Sequence, residues 1–274
     1  MINLSVFGST GYIGSNYCRM YPDQIFIPRD SRKPQSSDIL YFISTTTNQN
    51  VFKDLQIDID TNLKILTEVL SHCKKTGTIF NFVSSGFVYG NDVIDAKEDD
   101  PCDPTGFYSI TKRCAESLVI SYCKTFGIEY RIFRIGNVYG LDPTITSGKN
   151  VLGYMISLLK HDKQIKLYDG GDYLKDYMFV DDICRAIDHL MVWSKPNEIY
   201  NIASGSSQSF RSIITTARDI LDSKSELIDV SMPDDQKYIQ VKNMTLNTEK
   251  LQSLKFDCEM SFYQGLQTLC DVIE

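Results

Sequence analysis

A tyrosine and a lysine four positions apart, Tyr108 and Lys112, are the residues best suited to acid–base chemistry. In a helix this spacing places both side chains on one face. A nearby ammonium favours a phenolate, so we expect Lys112 to lower the pKa of Tyr108. The pair follows an apolar, β-rich run over 78–83 that ends in Ser84 and Ser85. A hydroxyl at that strand end could share a hydrogen bond with a substrate carbonyl and with Tyr108.

A glycine-rich turn near the start of the chain predicts a site for a nucleotide pyrophosphate. Gly8, Gly11 and Gly14 stand between a strand-like run and a helix-like stretch. Small residues let the backbone approach a phosphate, and the N-terminus of a helix offers unpaired N–H groups. Gly14 would allow the helix to pack closely on the strand. The same spacing also occurs in tight turns that bind no ligand.

Alternating strand-like and helix-like segments are expected to hold these residues in a parallel α/β sheet. The predicted strands are 2–7, 25–27, 39–43, 78–83, 130–135, 166–168, 177–180 and 199–202. The predicted helices are 15–21, 61–75, 108–126, 151–160, 181–193 and 211–221. The alternation becomes irregular after about residue 140, which predicts a smaller C-terminal lobe.

Composition argues against several classes of protein. The chain has 274 residues, 42% of them apolar and 23% charged, as in ordinary globular proteins with a full core. Its net charge of -7 gives no general attraction for nucleic acid or an anionic membrane surface. No apolar run reaches the about 20 residues that a membrane span needs.

The cysteines and histidines give no support for a metal site. Eight cysteines include no C-x-x-C pair, and there are only three histidines. We interpret the cysteines as small buried hydrophobes in a reducing compartment, Cys114 and Cys123 among them. No secretory signal is expected at the start of the chain, so the predicted location is cytoplasmic.

Seven ordered segments together resemble the extended short-chain dehydrogenase/reductases, in their NAD(P)-dependent sugar-nucleotide epimerase/dehydratase/reductase group. They are 8–14 (GSTGYIG), 60–62 (DTN), 84–90 (SSGFVYG), 108–112 (YSITK), 134–140 (RIGNVYG), 175–182 (KDYMFVDD) and 201–205 (NIASG). Each segment is weak alone, but the series runs in order through nearly the whole chain.

The resemblance implies a Rossmann-type doubly wound parallel sheet with a small mixed α/β substrate lobe. It divides the chain into an NAD(P)-binding domain over 1–145 and a mainly substrate-binding lobe over 146–274, with 176–203 packing back onto the first. In this family helices equivalent to 61–75 and 107–126 commonly pair across a dimer axis, which predicts a homodimer.

The resemblance also implies roles for individual residues. Ser85 would orient the reacting sugar oxygen, Tyr108 would be the acid/base, and Lys112 would bind the nicotinamide ribose. The residues expected at the cofactor are Gly8, Ser9, Thr10, Gly11, Tyr12, Ile13, Gly14, Arg29, Asp30, Arg32, Ser44, Thr45, Asn62, Ser84, Tyr108, Lys112 and Ile135. Those expected at a nucleotide-diphosphate sugar are Ser85, Gly86, Phe87, Asn137, Lys175 and Arg211.

The two positions after the serine pair narrow the reaction. Dehydratases of the family carry an acid pair there, and epimerase-reductases of the fucose-synthase type carry a cysteine. This chain has Gly86 and Phe87, which exchange no proton, so dehydration and 3,5-epimerisation both lose support. Reduction of a 4-keto sugar and NAD-dependent 4-epimerisation remain. An apolar Phe87 wall is compatible with a 6-deoxy sugar.

Two substrate-side positions also depart from the family pattern. Lys175 replaces an arginine, which keeps the charge but loses the planar fork. The segment 232–235 (MPDD) replaces Arg-Pro-Gly-Asp and brings no cation at its first position. We expect Arg211 or Lys237 to compensate at the diphosphate.

The loop after the second strand bears on the cofactor. Arg29, Arg32 and Lys33 would suit a 2′-phosphate, which favours NADP(H), whereas Asp30 keeps NAD(H) as the alternative. Only seven residues separate Asp30 from Asp38, where the family normally has a helix and a further strand.

That short connection predicts a sheet one strand shorter than the family norm and a more exposed adenine. A reductase must release its cofactor in each turnover, whereas a 4-epimerase retains it, so the short connection favours the reductase. A non-catalytic nucleotide-sensing Rossmann protein is a third hypothesis. It is disfavoured because Tyr108 and Lys112 are both intact.

Overall fold

Six parallel strands form the central sheet in the computed structural model, which describes residues 3–73, 77–141 and 151–273. In chain order the strands of the protein are β1 (Leu4–Phe7), β2 (Ile25–Phe26), β3 (Asp38–Tyr41), β4 (Ile79–Ser85), β5 (Val93–Ala96), β6 (Glu129–Ile135), β7 (Asn137–Tyr139), β8 (Ile165–Tyr168), β9 (Leu174–Phe179), β10 (Glu198–Ile202), β11 (Ser207–Ser209), β12 (Leu227–Val230) and β13 (Met244–Leu246). The central sheet has the order β10-β6-β4-β3-β1-β2.

Ten α-helical segments surround and extend this sheet within the described residues. They are α1 (Tyr12–Met20), α2 (Ile57–Ile59), α3 (Ile65–Leu70), α4 (Phe107–Phe126), α5 (Val151–Lys160), α6 (Val180–Trp193), α7 (Phe210–Ile220), α8 (Asp234–Lys237), α9 (Glu249–Gln252) and α10 (Phe262–Val272). A π-helical turn, Asp60–Lys64, joins α2 to α3. None of these helices has the length and apolar character needed to cross a membrane.

Both faces of the central sheet are largely buried, which explains why most residues of its strands are apolar. Successive side chains of a strand point to opposite faces. On β3, Ile39 and Tyr41 face a core completed by α3 and α4, whereas Leu40 faces a core completed by α1 and α6. The predicted Rossmann-like α/β architecture with a parallel sheet is thereby confirmed.

The connection between β2 and β3 contains no helix or additional strand, as its length predicted. These two strands pair in parallel with opposite edges of β1, so the loop, which runs from the carboxyl end of β2 to the amino end of β3, must pass across a face of that strand. Ser5 anchors it, because the Ser5 hydroxyl accepts hydrogen bonds from the backbone N–H groups of Gln35 at 2.8 Å and Ser36 at 2.9 Å.

A second sheet of five strands is separate from the central sheet. Its strand order is β11-β9-β13-β5, and β7 also pairs with β9. Helices α5, α7 and α10 bury a separate apolar core against β8 and β9. Within the span 176–203, β10 pairs with β6 at the edge of the central sheet. The predicted domain boundary at 145/146 lies outside the described residues and stays a prediction.

A helix boundary and the burial of a cysteine are among the details that differ from the expectations. The helix predicted over 61–75 begins four residues earlier, at Ile57, and α3 ends at Leu70; residues 74 and 75 lie outside the described residues. Cys114 is exposed, whereas Cys123 is buried. Both lie on α4, and their spacing of nine residues places them on different faces of that helix.

Candidate functional site

The glycine turn joins β1 to α1 in a conformation that larger residues would disturb. Gly8 has a φ of +85°, which L side chains rarely adopt. A Cβ on Gly14 would lie 2.1 Å from the Gly8 carbonyl oxygen. Gly11 begins the helix with no side-chain cap, and no acidic residue occupies the first turn. Uncapped amides at this exposed turn are suited to an anion such as a pyrophosphate.

We expect Gly14→Ala to destabilise the protein by about 1–3 kcal/mol, because the new Cβ overlaps a backbone carbonyl that cannot move freely. Gly11→Ala is the matched control, since its Cβ would meet the Gly8 oxygen at an ordinary 3.4 Å and its φ is -80°. Urea unfolding measures both variants. Equal losses of unfolding free energy would contradict the steric explanation.

Tyr108 lies in the first turn of α4, beside the carboxyl end of β4. Its side chain is 9% exposed and Ser85 is 5% exposed. Burial raises the pKa of Tyr108, while hydrogen bonding with the Ser85 and Ser44 hydroxyls lowers it and the Asp58 carboxylate raises it further. The net direction is upward, opposite to the lowering that we expected from Lys112.

Lys112 is held by contacts that direct its charge to β4. Its Nζ donates a hydrogen bond to the Val83 carbonyl at 2.7 Å and lies 4.3 Å from the centre of the Phe82 ring. Burial lowers the pKa of Lys112 to about 7, although the Glu116 carboxylate acts in the opposite direction. This ammonium is therefore easily lost near neutral pH.

A buried carboxylate that the sequence analysis missed lies one helical turn beyond Lys112. Glu116 is fully buried, and its Oε1 accepts a hydrogen bond from the Ser84 hydroxyl at 2.6 Å. Arg134 on β6 donates to both carboxylate oxygens, at 3.0 and 2.9 Å, and Arg113 donates to Oε2 at 2.9 Å. The hydroxyl of Ser84, expected at the cofactor, is thus committed to this network.

Ser44, Thr45 and Asn62 do come together, at the π-helical turn. The Asn62 Oδ1 accepts from the Thr45 N–H at 2.9 Å and from the Ser44 hydroxyl at 3.2 Å. The Asn62 Nδ2 donates to the hydroxyl of Thr111 on α4 at 2.9 Å. Asp58, which the sequence analysis also missed, is buried and accepts a hydrogen bond from the Thr45 hydroxyl. A single π-helical turn within an α-helix is frequent at functional sites.

Gly86, Phe87 and Ile135 lie beside the Tyr108 region. Ile135 pairs in register with Ser85 across the central sheet. The Phe87 ring meets the Tyr108 ring edge-on, with centres 6.3 Å apart. A Cβ on Gly86 would lie 3.1 Å from a Leu246 methyl group and would require that side chain to shift.

The cationic substrate-side candidates are engaged elsewhere. Lys175 donates from Nζ to the Val241 carbonyl at 2.5 Å, and burial lowers its pKa to about 8. Arg211 pairs with Asp229 and donates from Nε to the Gly170 carbonyl at 2.6 Å. Asn137 donates to the Asp176 carbonyl at 3.2 Å. Their assignment to a diphosphate stays a prediction.

The basic loop, which follows β2 and contains Arg29, Arg32 and Lys33, holds these cations in different ways. Arg32 donates from Nε to the Glu68 carboxylate on α3 at 2.8 Å and from Nη1 to the Arg29 carbonyl at 2.9 Å. Arg29 and Asp30 are exposed. Arg32 would have to leave Glu68 in order to present its fork to a 2′-phosphate.

Residues 33–203 match the family model described as "NAD dependent epimerase/dehydratase family". The chain is 27% identical to a putative UDP-glucose 4-epimerase of Methanocaldococcus jannaschii over 187 residues, 67% of this chain and 59% of that protein. It is also 27% identical to a trifunctional UDP-glucose 4,6-dehydratase/UDP-4-keto-6-deoxy-D-glucose 3,5-epimerase/UDP-4-keto-L-rhamnose-reductase of Arabidopsis thaliana, over 84% of this chain and 35% of that protein. The matched part thus spans about a third to three fifths of these relatives.

Solved structures share the fold along almost the whole chain. UDP-glucose 4-epimerase of Thermotoga maritima, with UDP-glucose, superposes with a TM-score of 0.86 at 20% identity, over 98% of both chains. RMD of Pseudomonas aeruginosa, complexed with NADPH, gives 0.83 at 20% identity, over 99% of this chain and 98% of that one. At such identities the likeness concerns the fold alone.

Proposed function

The chain belongs to the NAD-dependent epimerase/dehydratase family, and from this premise we propose that it reduces a nucleotide-diphosphate 4-keto-6-deoxy sugar at C4. The observation that carries the proposal is the buried group Ser85, Tyr108 and Lys112 at the carboxyl end of β4, next to Gly86 and Phe87. This arrangement places the proton donor Tyr108 next to Gly86 and Phe87, which exchange no proton.

The glycine turn fits a dinucleotide cofactor. A Cβ has no room at Gly14, and the uncapped amides of α1 are suited to hold the pyrophosphate. Lys112 on α4, Asn62 and the loop residues Ser44 and Thr45, which hydrogen-bond Asn62, would border the remainder of the cofactor. When bound, the nicotinamide supplies the hydride to the sugar. NADP(H) is favoured by the basic loop, with NAD(H) as the alternative.

Tyr108 is the proton donor to the sugar oxygen in this proposal. Its raised pKa keeps the phenol protonated at neutral pH, the state needed to give a proton during a reduction. Ser85 hydrogen-bonds the same oxygen and the phenol, which fixes the donor toward the acceptor. The Lys112 ammonium favours the phenolate that remains after the transfer.

Dehydration is disfavoured at this site by space as well as by chemistry. The Cβ of any residue at position 86 would press on Leu246 and Met244 at 3.1–3.2 Å, so an acidic side chain there would need both to move. Phe87 has no titrating group and packs edge-on against Tyr108.

A 4-epimerase is the second candidate, and the named relative from Methanocaldococcus jannaschii favours it. The helix-free connection over 27–37 favours the reductase instead, because it leaves less chain to enclose an adenine and so eases release of the cofactor. A 4-epimerase would be purified with tightly bound NAD, which heat would release into solution.

We expect kcat/KM for the reduction to fall as the pH rises through about 7. The pKa of Lys112 is about 7, so its ammonium is present below that pH and lost above it. Tyr108 adds no loss of its own near this pH, because its pKa is raised and the phenol stays protonated. Initial rates from mildly acidic to alkaline buffers measure the profile. A rate that stays constant into the alkaline range would contradict this assignment.

We also propose a homodimer through α3 and α4. Leu118 and Phe126 on α4 are 39% and 44% exposed, an apolar face that a second copy would cover. Sedimentation should show a dimer that Leu118→Glu converts to a monomer, and a monomeric wild-type protein would contradict the proposal.

The proposed reaction is tested by mixing purified protein with NADPH and a panel of UDP- and dTDP-linked 4-keto-6-deoxy sugars. Nicotinamide absorbance should fall in proportion to the product formed, faster with NADPH than with NADH. The proposal fails if no keto-sugar consumes the cofactor while a stable nucleotide sugar is epimerised without added reductant.

A further inference from the structure

A short segment over 47–52 lies against the start of α4. The Thr47 hydroxyl caps it by accepting from the Gln49 N–H at 3.1 Å, and a 3₁₀ helix follows over Asn48–Phe52. Asn48 is only 5% exposed although its side chain is polar. A buried amide of this kind is expected to be fully hydrogen-bonded, so its partners indicate what it does.

One end of the Asn48 amide holds the first turn of α4. Its Oδ1 accepts from the Ser109 N–H and from the Ser109 hydroxyl, both at 3.2 Å. The residue before the helix, Gly106, supplies no side-chain cap of its own, and a Cβ there would lie 2.1 Å from the Asn48 amide. Asn48 therefore supplies a cap from a distant part of the chain, directly beside Tyr108.

The other end of the same amide reaches the C-terminal part of the chain. The Asn48 Nδ2 donates to the Ile239 carbonyl at 3.2 Å. Next to it, Gln49 donates to the Gln236 side chain at 2.6 Å. Lys175 donates to the Val241 carbonyl, so the segment 236–241 is fixed at both ends.

We propose that Asn48 is a positioning residue that couples the seating of segment 236–241 to the placement of Tyr108. The inference rests on the proposed function, in which Tyr108 is the proton donor. A planar amide with one end on each partner transmits a displacement of either, since both hydrogen bonds cannot survive a shift of only one. A misplacement of about 1 Å at a proton donor can lower a rate by about 10²-fold.

Asn48→Asp separates this coupling from simple capping. The aspartate keeps an oxygen toward Ser109 but loses the N–H that donates to Ile239. We expect kcat to fall by about 10-fold or more with KM for the sugar nearly unchanged, although the cap is retained. Gln49→Ala is the matched control, because it breaks the neighbouring contact with Gln236 while the Asn48–Ile239 hydrogen bond still holds the segment; its kcat should fall much less than that of Asn48→Asp.

Two kinetic outcomes would overturn the proposal: wild-type kcat in Asn48→Asp, or an equal loss of kcat in Gln49→Ala. Amide hydrogen exchange on the free proteins gives a readout that needs no activity. Asn48→Ala should raise exchange over 107–111 and over 236–241 together, and a rise confined to 107–111 would reduce Asn48 to a cap. If the wild type reduces no keto-sugar, the proposed function fails, while the exchange result still decides the coupling.

Discussion

Tyr108→Phe is expected to lower kcat by about 10²- to 10⁴-fold, the usual contribution of a placed general acid. Phenylalanine preserves the ring that packs edge-on against Phe87 and removes only the hydroxyl. That hydroxyl lies among Ser85, Ser44 and the end of β4, so the substitution removes the phenol that would donate the proton there. KM for the sugar and the free energy of unfolding should change little.

Tyr41→Phe is the control for this substitution. Tyr41 is fully buried in the sheet, and its hydroxyl has no hydrogen-bond partner in the described part of the structure. Removing that group should leave kcat unchanged and should not lower stability. Full activity in Tyr108→Phe would contradict the assignment of the proton donor, and unchanged biological activity would revive a nucleotide-sensing role.

Glu116→Gln is expected to cost about 3–5 kcal/mol of unfolding free energy, because it leaves a buried guanidinium without a charged partner. Arg134 is 1% exposed and makes a two-pronged contact with the Glu116 carboxylate. The carboxylate also raises the pKa of Arg134. Urea unfolding at neutral pH measures the loss.

Asp181→Asn is the matched control for a pair at the surface. Its partner Arg19 approaches to 2.5 Å, but the two side chains are 55% and 26% exposed, so the expected loss is below about 1 kcal/mol. Similar losses in the two variants would show that burial does not strengthen the Glu116 pair. Glu116→Gln should also move the alkaline fall of kcat/KM to lower pH, because the Glu116 charge supports the Lys112 ammonium.

The central sheet could be predicted because both of its faces are buried. Predominantly apolar runs such as that of β4 indicate strands, and the predicted helix over 151–160 matches α5 at both ends. The short strands β5, β11 and β13 escaped prediction. Each has only three or four residues, too few for a period to emerge, and pairing within the second sheet stabilises them.

The sequence contains a pattern that indicates the buried charges. Arg131 and Arg134 interrupt an otherwise apolar strand, and a cation on a buried strand needs a partner. Glu116 lies four residues after Lys112, on the helix face that also buries Ala115 and Val119. Helical spacing therefore predicts that Glu116 is buried, which makes it a candidate partner for Arg134.

Other contacts could not be predicted because they join distant parts of the chain. Arg32 and Glu68 are 36 residues apart, and their ion pair follows from how the helix-free loop passes α3. The upward pKa of Tyr108 likewise depends on its burial by several elements. The Tyr108–Lys112 spacing predicted a shared helix face but not the extent to which that face is buried from solvent.

The most direct test of the reductase proposal follows the hydrogen that arrives at the sugar. Purified protein is mixed with a nucleotide-linked 4-keto-6-deoxy sugar and NADPH deuterated at nicotinamide C4, and the product is examined by mass spectrometry and NMR. We predict one deuterium at C4 of the product for each cofactor oxidised. A keto sugar that acquires no deuterium at C4, while a stable 4-hydroxy nucleotide sugar in a parallel reaction is epimerised with no net oxidation of cofactor, would contradict the proposal.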